Sequence, residues 1–209
     1  MKDENKNLRK VWAEYWRNYQ GVTKIGAWSQ GQALEKVLTI LCKKIKNKKL
    51  KIIDLGCGEG RTLLEFKKNG FVNIIGVDYT KESLKICQKK GLILNKDIFF
   101  DDALKTRFNN CEFDLVFSEG LLEHYKDPTN AIFEMARISK KYILIIQPNH
   151  FSFYGLTIAL LGPFLRNNVR EFSFTKKYFV RKFKNVGFKL EAEEYTPCGE
   201  FFILLFVRN

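Results

Sequence analysis

Residues 51–60 read KIIDLGCGEG: an apolar run passes into a turn holding Gly56, Gly58 and Gly60, with Asp54 just ahead of the first glycine. Glycines in such a turn permit positive φ and let a ligand come close to the backbone. A buried strand that delivers this kind of turn to a helix start is where doubly wound α/β folds bind nucleotides. The dinucleotide fingerprint is excluded, because its third glycine falls at Arg61 and Gly60 comes one residue early. A P-loop is excluded too, since no Gly-Lys-Ser/Thr follows. Asp54 is an unwelcome charge beside a pyrophosphate and suits a cationic ligand or one with donor groups. On the loop alone, a plain tight turn stays open as the alternative.

Outward from the loop, helix and strand periodicities alternate. A helical stripe covers 8–20, with Leu8, Val11, Trp12, Tyr15, Trp16 and Tyr19, and another covers 31–46. Residues 61–69 read as a helix stopped by Gly70, 72–77 as a strand, and Thr80 as the cap of a helix ending near Gly91. Strands are expected near 95–100 and at 113–118. Asp127-Pro128 opens a helix to about Ser139, and 142–147 is a strand ended by Pro148. Thr175 caps a helix stopped by Gly187, and strands at 188–195 and 201–207 follow. Apolar strands joined by helix-length crossovers predict a mostly parallel sheet covered on both faces. The link Pro197-Cys198-Gly199 is too short for a crossover, so the last two strands should pair antiparallel. No boundary divides the chain, and 1–209 reads as a single domain with an N-terminal helical segment, 1–30, and an insertion at 149–173.

Further acidic signals sit at the ends of the next strands. Asp78 closes Ile74-Ile75-Gly76-Val77-Asp78, where a carboxylate accepts ribose hydroxyls, caps a helix N-terminus or simply ends a strand in water. Asp101-Asp102-Ala103 offers a carboxylate and a main-chain N–H for an adenine edge, or makes a surface turn. Phe113 to Gly120 is a buried strand ending in the small polar cluster Ser118-Glu119-Gly120.

With DLGCGEG at 54–60, GVD at 76–78, DDA at 101–103 and FDLVFSEGLLEH at 113–124, the chain resembles class I S-adenosylmethionine-dependent methyltransferases of the type-11, UbiE-like small-molecule subgroup. The resemblance covers about 50–147 and only loosely the flanks. It implies a Rossmann-like three-layer sandwich in the α/β class, with a mostly parallel seven-stranded sheet and an antiparallel C-terminal strand. It implies S-adenosyl-L-methionine as cofactor and S-adenosyl-L-homocysteine as product. By the same resemblance, Asp54 shapes the loop near the methionine amine, while Gly56, Cys57 and Gly58 present backbone to the amino-acid part. Asp78 holds the ribose, Tyr79 lies against the adenine, and Asp102 and Ala103 read its edge. Ser118, Glu119 and Gly120 lie beside the methionine end. Asp101 stands where many members have glycine, which leaves open whether Asp101 or Asp102 faces the adenine; the spacing to Phe113-Asp114 favours Asp102.

Methyl transfer from a sulfonium is an in-line displacement that mainly needs alignment and dryness. A general base helps only where the nucleophile must lose a proton. His124, directly after Glu123, is the candidate base, with a structural histidine at a helix start as the alternative. His150 lies on the same rim, either touching substrate or exposed. No Asn/Asp-Pro-Pro-Tyr/Phe motif follows the fourth strand, which weakens a reading as a nucleic-acid amino-methyltransferase.

The two flanking segments should choose the acceptor. Residues 1–30 suggest a lid, with Tyr19 and Trp28 reaching the ligand, or an aromatic stripe packed on the sheet edge. Residues 149–173, which include Phe151 and Tyr154, suggest a roof that makes an apolar acceptor pocket. A core helix, a dimer interface or a peripheral membrane contact are the alternatives.

Composition narrows the partners. The 209 residues carry 36 Lys+Arg against 23 Asp+Glu, a net charge of +13. This leaves nucleic acid or an anionic surface open, yet the lysine runs lack aromatic interleaving and read as solvated faces. No apolar run reaches the roughly 18–20 residues of a membrane span. MKDENKNLRK has no apolar h-region, so a cytoplasmic protein without a secretory signal is expected. Five cysteines without a CxxC pair suggest reduced thiols and no metal site. The expected activity is methyl transfer to a small, partly apolar acceptor. The alternatives are an RNA or protein methyltransferase using the basic surface, and a non-catalytic cofactor-binding protein.

Overall fold

A computed structural model describes residues 2–21, 24–152 and 171–209. The KIIDL run forms β1 (Ile52–Leu55), buried along its whole length. Its neighbours are β2 (Ile74–Asp78) and β4 (Phe113–Glu119), both parallel to it. Strands buried on both faces need apolar side chains at successive positions, which is why these runs do not alternate. With β3 (Ile98–Phe100), β5 (Ser139–Pro148), β6 (Phe188–Tyr195) and β7 (Phe201–Arg208), they build a seven-stranded sheet in the order β3-β2-β1-β4-β5-β7-β6. β7 is antiparallel to both β5 and β6, and every other pairing is parallel. The fold is therefore the expected mostly parallel α/β sheet, with its antiparallel strand at the C-terminal side.

The helices are α1 (Lys2–Arg17), α2 (Lys24–Ile40), α3 (Arg61–Lys68), α4 (Lys81–Lys89), α5 (Thr129–Ile138) and α6 (Lys176–Asn185). One face of the sheet is covered by Leu34 and Val37 of α2, Leu63 and Phe66 of α3 and Leu84 of α4, packed on Phe117, Leu144 and Leu205. The other is covered by Ile132 and Met135 of α5 and Phe179 and Phe183 of α6, packed on Val116, Ile145 and Phe206. The Phe183 and Phe206 rings lie 4.4 Å apart. Each such fully buried side chain contributes about 1.5–3 kcal/mol.

Three local expectations need correction. α2 begins at Lys24, well ahead of 31, and ends in a π-turn, Leu41–Ile45, closed by Lys46 in the left-handed region. Gly26 and Gly31 weaken the helical signal there, and docking of Ala33, Leu34 and Val37 on the sheet carries the helix past them. α1 ends at Arg17, short of Tyr19. Thr80 occupies the N-cap of α4 but makes no side-chain cap; its hydroxyl donates to Asp78 Oδ1 at 2.7 Å instead. Thr175 does cap α6, accepting from the Tyr178 amide at 3.2 Å.

This topology fixes the position of the crevice. β1 runs to β2 and β3 on one side, and the chain then returns to β4 on the other. The carboxyl ends of β1 and β4 are thus the switch point where α/β sheets bind ligands.

Candidate functional site

The loop after β1 is held open by its glycines: Gly56, Gly58 and Gly60 have φ of 75°, 52° and 75°. The Gly56 and Cys57 amides both donate to the Val77 carbonyl at 2.9 Å. Asp78 completes the attachment. Its Oδ2 accepts from the Gly58 amide at 3.0 Å, and its Oδ1 from the Thr80 amide at 2.8 Å. Burial pushes the Asp78 carboxyl up, and these donors pull it back down. Beneath the loop, Cys87 Sγ donates to the Gly58 carbonyl at 3.1 Å. The neighbouring Cys57 thiol is pushed up by its contact with Cys87 and by burial, which leaves it protonated and unreactive.

Carboxylates gather at the strand ends. Asp54 is 2% exposed, and burial, then the Glu119 charge, push its carboxyl well above the usual range. Glu119 is gripped by Arg61 Nη2 at 2.5 and 2.7 Å and by the Thr62 hydroxyl at 3.1 Å. Burial still holds the Glu119 carboxyl above its ordinary value, against the pull of Arg61. Arg61 also donates to the Gln30 carbonyl at 3.3 Å, tying α2 to the crevice. Arg61 was not singled out from the sequence. A cation in the first turn of a helix opposes the dipole, and that is the signal that marks it.

Asp101 and Asp102 diverge. Asp101 Oδ2 accepts from the Arg107 amide at 3.0 Å and from its Nε at 2.9 Å. Asp102 instead faces a small cleft lined by Leu8, Arg9, Tyr79, Leu104 and Tyr125, with room for roughly one water molecule. Ala103 is buried beside it. Tyr125 had no marker in the sequence beyond its aromatic ring. The Tyr79 hydroxyl is buried without a hydrogen-bond partner.

α1 lies over all of this. Arg9 pairs with Asp102 Oδ2 and stacks 5.4 Å above the Tyr79 ring. A Cβ on Gly58 would stand 2.9 Å from the Trp16 ring, so only glycine admits that contact. Just beyond α1, Tyr19 is hydrogen-bonded to Glu59, and burial with that contact pushes its hydroxyl up. Trp28, on α2, is 52% exposed.

On the β4–β5 side, Ser118 is fully buried with an unpartnered Oγ, and Gly120 has φ of 64°. Glu123 and His124 follow in a 3₁₀ turn, Leu122–His124. His124 is 9% exposed, meets the Trp12 ring edge-on at 4.8 Å, and has Nε2 4.0 Å from Glu123 Oε1. His150 Nε2 lies 3.9 Å from Glu171. Phe151 is 62% exposed, and Tyr154, with most of 149–173, lies outside the described residues. The far end of that segment is anchored here, because the Phe172 amide donates to the Glu123 carbonyl at 2.7 Å.

Nothing in the sequence marks Glu123 beside its neighbour His124. Burial pushes its carboxyl up to about 7, with His124 pulling the other way. The folded state thus binds a proton that the unfolded chain releases near pH 4.5. The resulting stabilisation is complete below that value and is lost as pH rises toward 7. Glu123→Gln removes this dependence. Thermal unfolding should show the variant gaining roughly 1–3 kcal/mol on wild type between pH 5 and pH 8. A constant difference across that range would contradict an ionising buried Glu123.

Among the described residues, no group of three His, Cys, Asp or Glu side chains is placed to hold a metal ion, and no helix is long and apolar enough to cross a membrane.

Residues 53–145 match the sequence family described as a methyltransferase domain. Ajmaline N-methyltransferase of Rauvolfia serpentina is 33% identical over 103 residues, 47% of this chain and 35% of that protein. The chain thus spans about a third of the length of the first curated relatives it matches. EEF1A lysine methyltransferase 2 of Danio rerio is 24% identical over 206 residues, 90% of this chain and 79% of that protein. Magnesium protoporphyrin IX methyltransferase from Synechocystis PCC 6803, solved with bound SAH, superposes with a TM-score of 0.74 at 17% identity, covering 98% of this chain and 100% of the other. At that identity the likeness speaks for the fold.

Proposed function

We propose, from the premise that residues 53–145 form a methyltransferase domain on a class I fold, that the protein is an S-adenosylmethionine-dependent methyltransferase acting on a small, partly apolar acceptor. One observation carries the reading: in a chain of net charge +13, the crevice at the switch point is acidic, with Asp54 and Asp78 buried and Glu119 half-buried around the glycine loop. Buried carboxylates whose protons are held tightly favour a ligand that brings positive charge and donors.

The residues present fit that cofactor. S-adenosyl-L-methionine, when bound, supplies a methyl group on a positively charged sulfur. Asp54 and Glu119 face its positive end, and Ser118 and Gly120 flank it. Gly56, Cys57 and Gly58 are assigned to its amino-acid part, where the Trp16 ring now packs against Gly58. Asp78, which accepts from Gly58 and Thr80 and is also pulled down by the Ser83 hydroxyl, is assigned to the ribose hydroxyls. Tyr79, Asp102 and Ala103 are assigned to the adenine, with Asp102 rather than Asp101 as its acceptor. Trp12 and Trp16 of α1 keep water from the crevice, and His124 is assigned as the base where an acceptor must lose a proton. Tyr19, Trp28, His150, Phe151 and Tyr154 belong to the acceptor side.

A protein acceptor is the second reading. The alignment with a lysine methyltransferase over 90% of this chain favours it. Titration calorimetry with S-adenosylhomocysteine tests the shared premise, with low-micromolar binding expected. No heat at high micromolar concentration would sink it. Methyl incorporation from labelled S-adenosylmethionine, into metabolite fractions on one side and protein fractions on the other, separates the two acceptors.

A further inference from the structure

We propose that Glu123, backed by Gln147, recognises a protonated amine on the acceptor. The inference rests on the methyltransferase reading and deepens it by naming the acceptor's charged group.

Three polar atoms at the carboxyl ends of β4 and β5 are buried without a partner: the acceptors Glu123 Oε2 and Gln147 Oε1, and the Ser118 hydroxyl. Glu123 is 3% exposed, Gln147 1% and Ser118 0%. Ser118 pairs with Ile145 across the sheet, and Gln147 lies two residues further along the same strand, so both side chains leave the same face. Glu123 lies at this rim beside Gly120, its Oε1 3.5 Å from where a Cβ on Gly120 would stand. The Gln147 side-chain amide hydrogen-bonds the Glu123 carboxylate and also donates to the Ile146 carbonyl at 2.8 Å, which uses both of its N–H groups. Once Glu123 is ionised, above about pH 7, what the pair offers a ligand is acceptors only.

Buried acceptors left unpaired are costly, and so is an unpaired buried carboxylate. An ammonium group is the complementary ligand, because it has donors, no acceptor and a positive charge. A hydroxyl brings one donor and no charge, and a carboxylate is repelled. Glu171, at the anchored end of 149–173, adds a second negative charge that Glu123 feels. The Trp12 ring, edge-on to His124, supplies an apolar wall next to this charge. The acceptor that fits is thus a cationic amine on an apolar or aromatic body. The net positive charge of the chain works against capture of such a cation at large, which makes the local acidic rim the more specific.

The test uses 2-phenylethylamine and its uncharged counterpart 2-phenylethanol, titrated into the full chain with and without saturating S-adenosylhomocysteine. The amine should bind at least tenfold more tightly than the alcohol. Glu123→Gln should erase that preference while S-adenosylhomocysteine binds within about twofold of wild type. Gln147→Leu, as a second variant, should reduce the preference severalfold. Equal binding of the two probes, binding of neither, or a preference that survives Glu123→Gln overturns the proposal. Failure of the wild type to bind S-adenosylhomocysteine, with the amine preference intact, counts instead against the methyltransferase reading.

Discussion

Asp78→Ala lowers affinity for S-adenosylhomocysteine about 100-fold in titration calorimetry, an effect of about 2.7 kcal/mol. Two losses add. The ligand's ribose loses a charged acceptor, and hydrogen bonds to charged groups contribute about 1.5–3 kcal/mol. The loop loses its attachment as well, since Gly58 N, Thr80 N and Thr80 Oγ1 all donate to Asp78 at 3.0, 2.8 and 2.7 Å. Asp78→Asn separates the two. It keeps one carbonyl oxygen for the loop but turns an N–H₂ toward one of the former donors, so it should fall between wild type and alanine. An alanine variant that binds like wild type would refute the ribose role and would leave Asp78 a loop fastener only.

Gly76→Val destabilises the fold by about 3 kcal/mol and lowers the melting temperature by roughly 6–12 °C. Gly76 is not needed for its backbone freedom, because it sits in β2 between β1 and β3. It is needed for space. A Cβ at this position would stand 2.7 Å from Cys57 Cβ, 2.8 Å from Cys57 Sγ and 2.9 Å from Leu63 Cδ1. Cys57 belongs to the glycine loop and Leu63 to α3, both fixed by the core, so neither can retreat freely. Valine adds two further methyl groups to that clash. Differential scanning calorimetry decides the matter, and a melting temperature within about 2 °C of wild type would show that the loop yields without cost.

The sequence made the sheet legible because its strands are buried on both faces. Runs such as Ile52–Leu55 and Phe113–Ser118 can be read without knowing their partners. The glycine loop was legible for a local reason, since its positive φ values demand glycine at particular positions. The short Pro197-Cys198-Gly199 link forced the antiparallel pairing of β6 with β7. What escaped were contacts between residues far apart in the chain. Arg61 with Glu119, Arg9 with Asp102, and Trp16 against Gly58 are tertiary pairings with no local pattern to announce them. Glu123 escaped for a different reason: a glutamate beside a histidine in a polar-looking stretch reads as solvated, and only the fold buries it. Similarly, Thr80 has the residue type of a cap, but its hydroxyl is turned to donate to Asp78 two positions earlier and makes no bond to the α4 amides.

With the cofactor placed as proposed, α1 and the cofactor compete for the same two positions. Arg9 occupies Asp102 and Trp16 occupies Gly58, so a ligand that takes both positions must first displace a helix tethered to the same chain. Tethering gives that internal competitor a high effective concentration that no dilution lowers. The measured dissociation constant is then the crevice's own constant divided by the fraction of molecules with α1 undocked. A docking preference of about 1.4 kcal/mol weakens apparent affinity tenfold. Substitutions along one face of a surface helix would thus retune cofactor affinity while every residue of the crevice stays as it is.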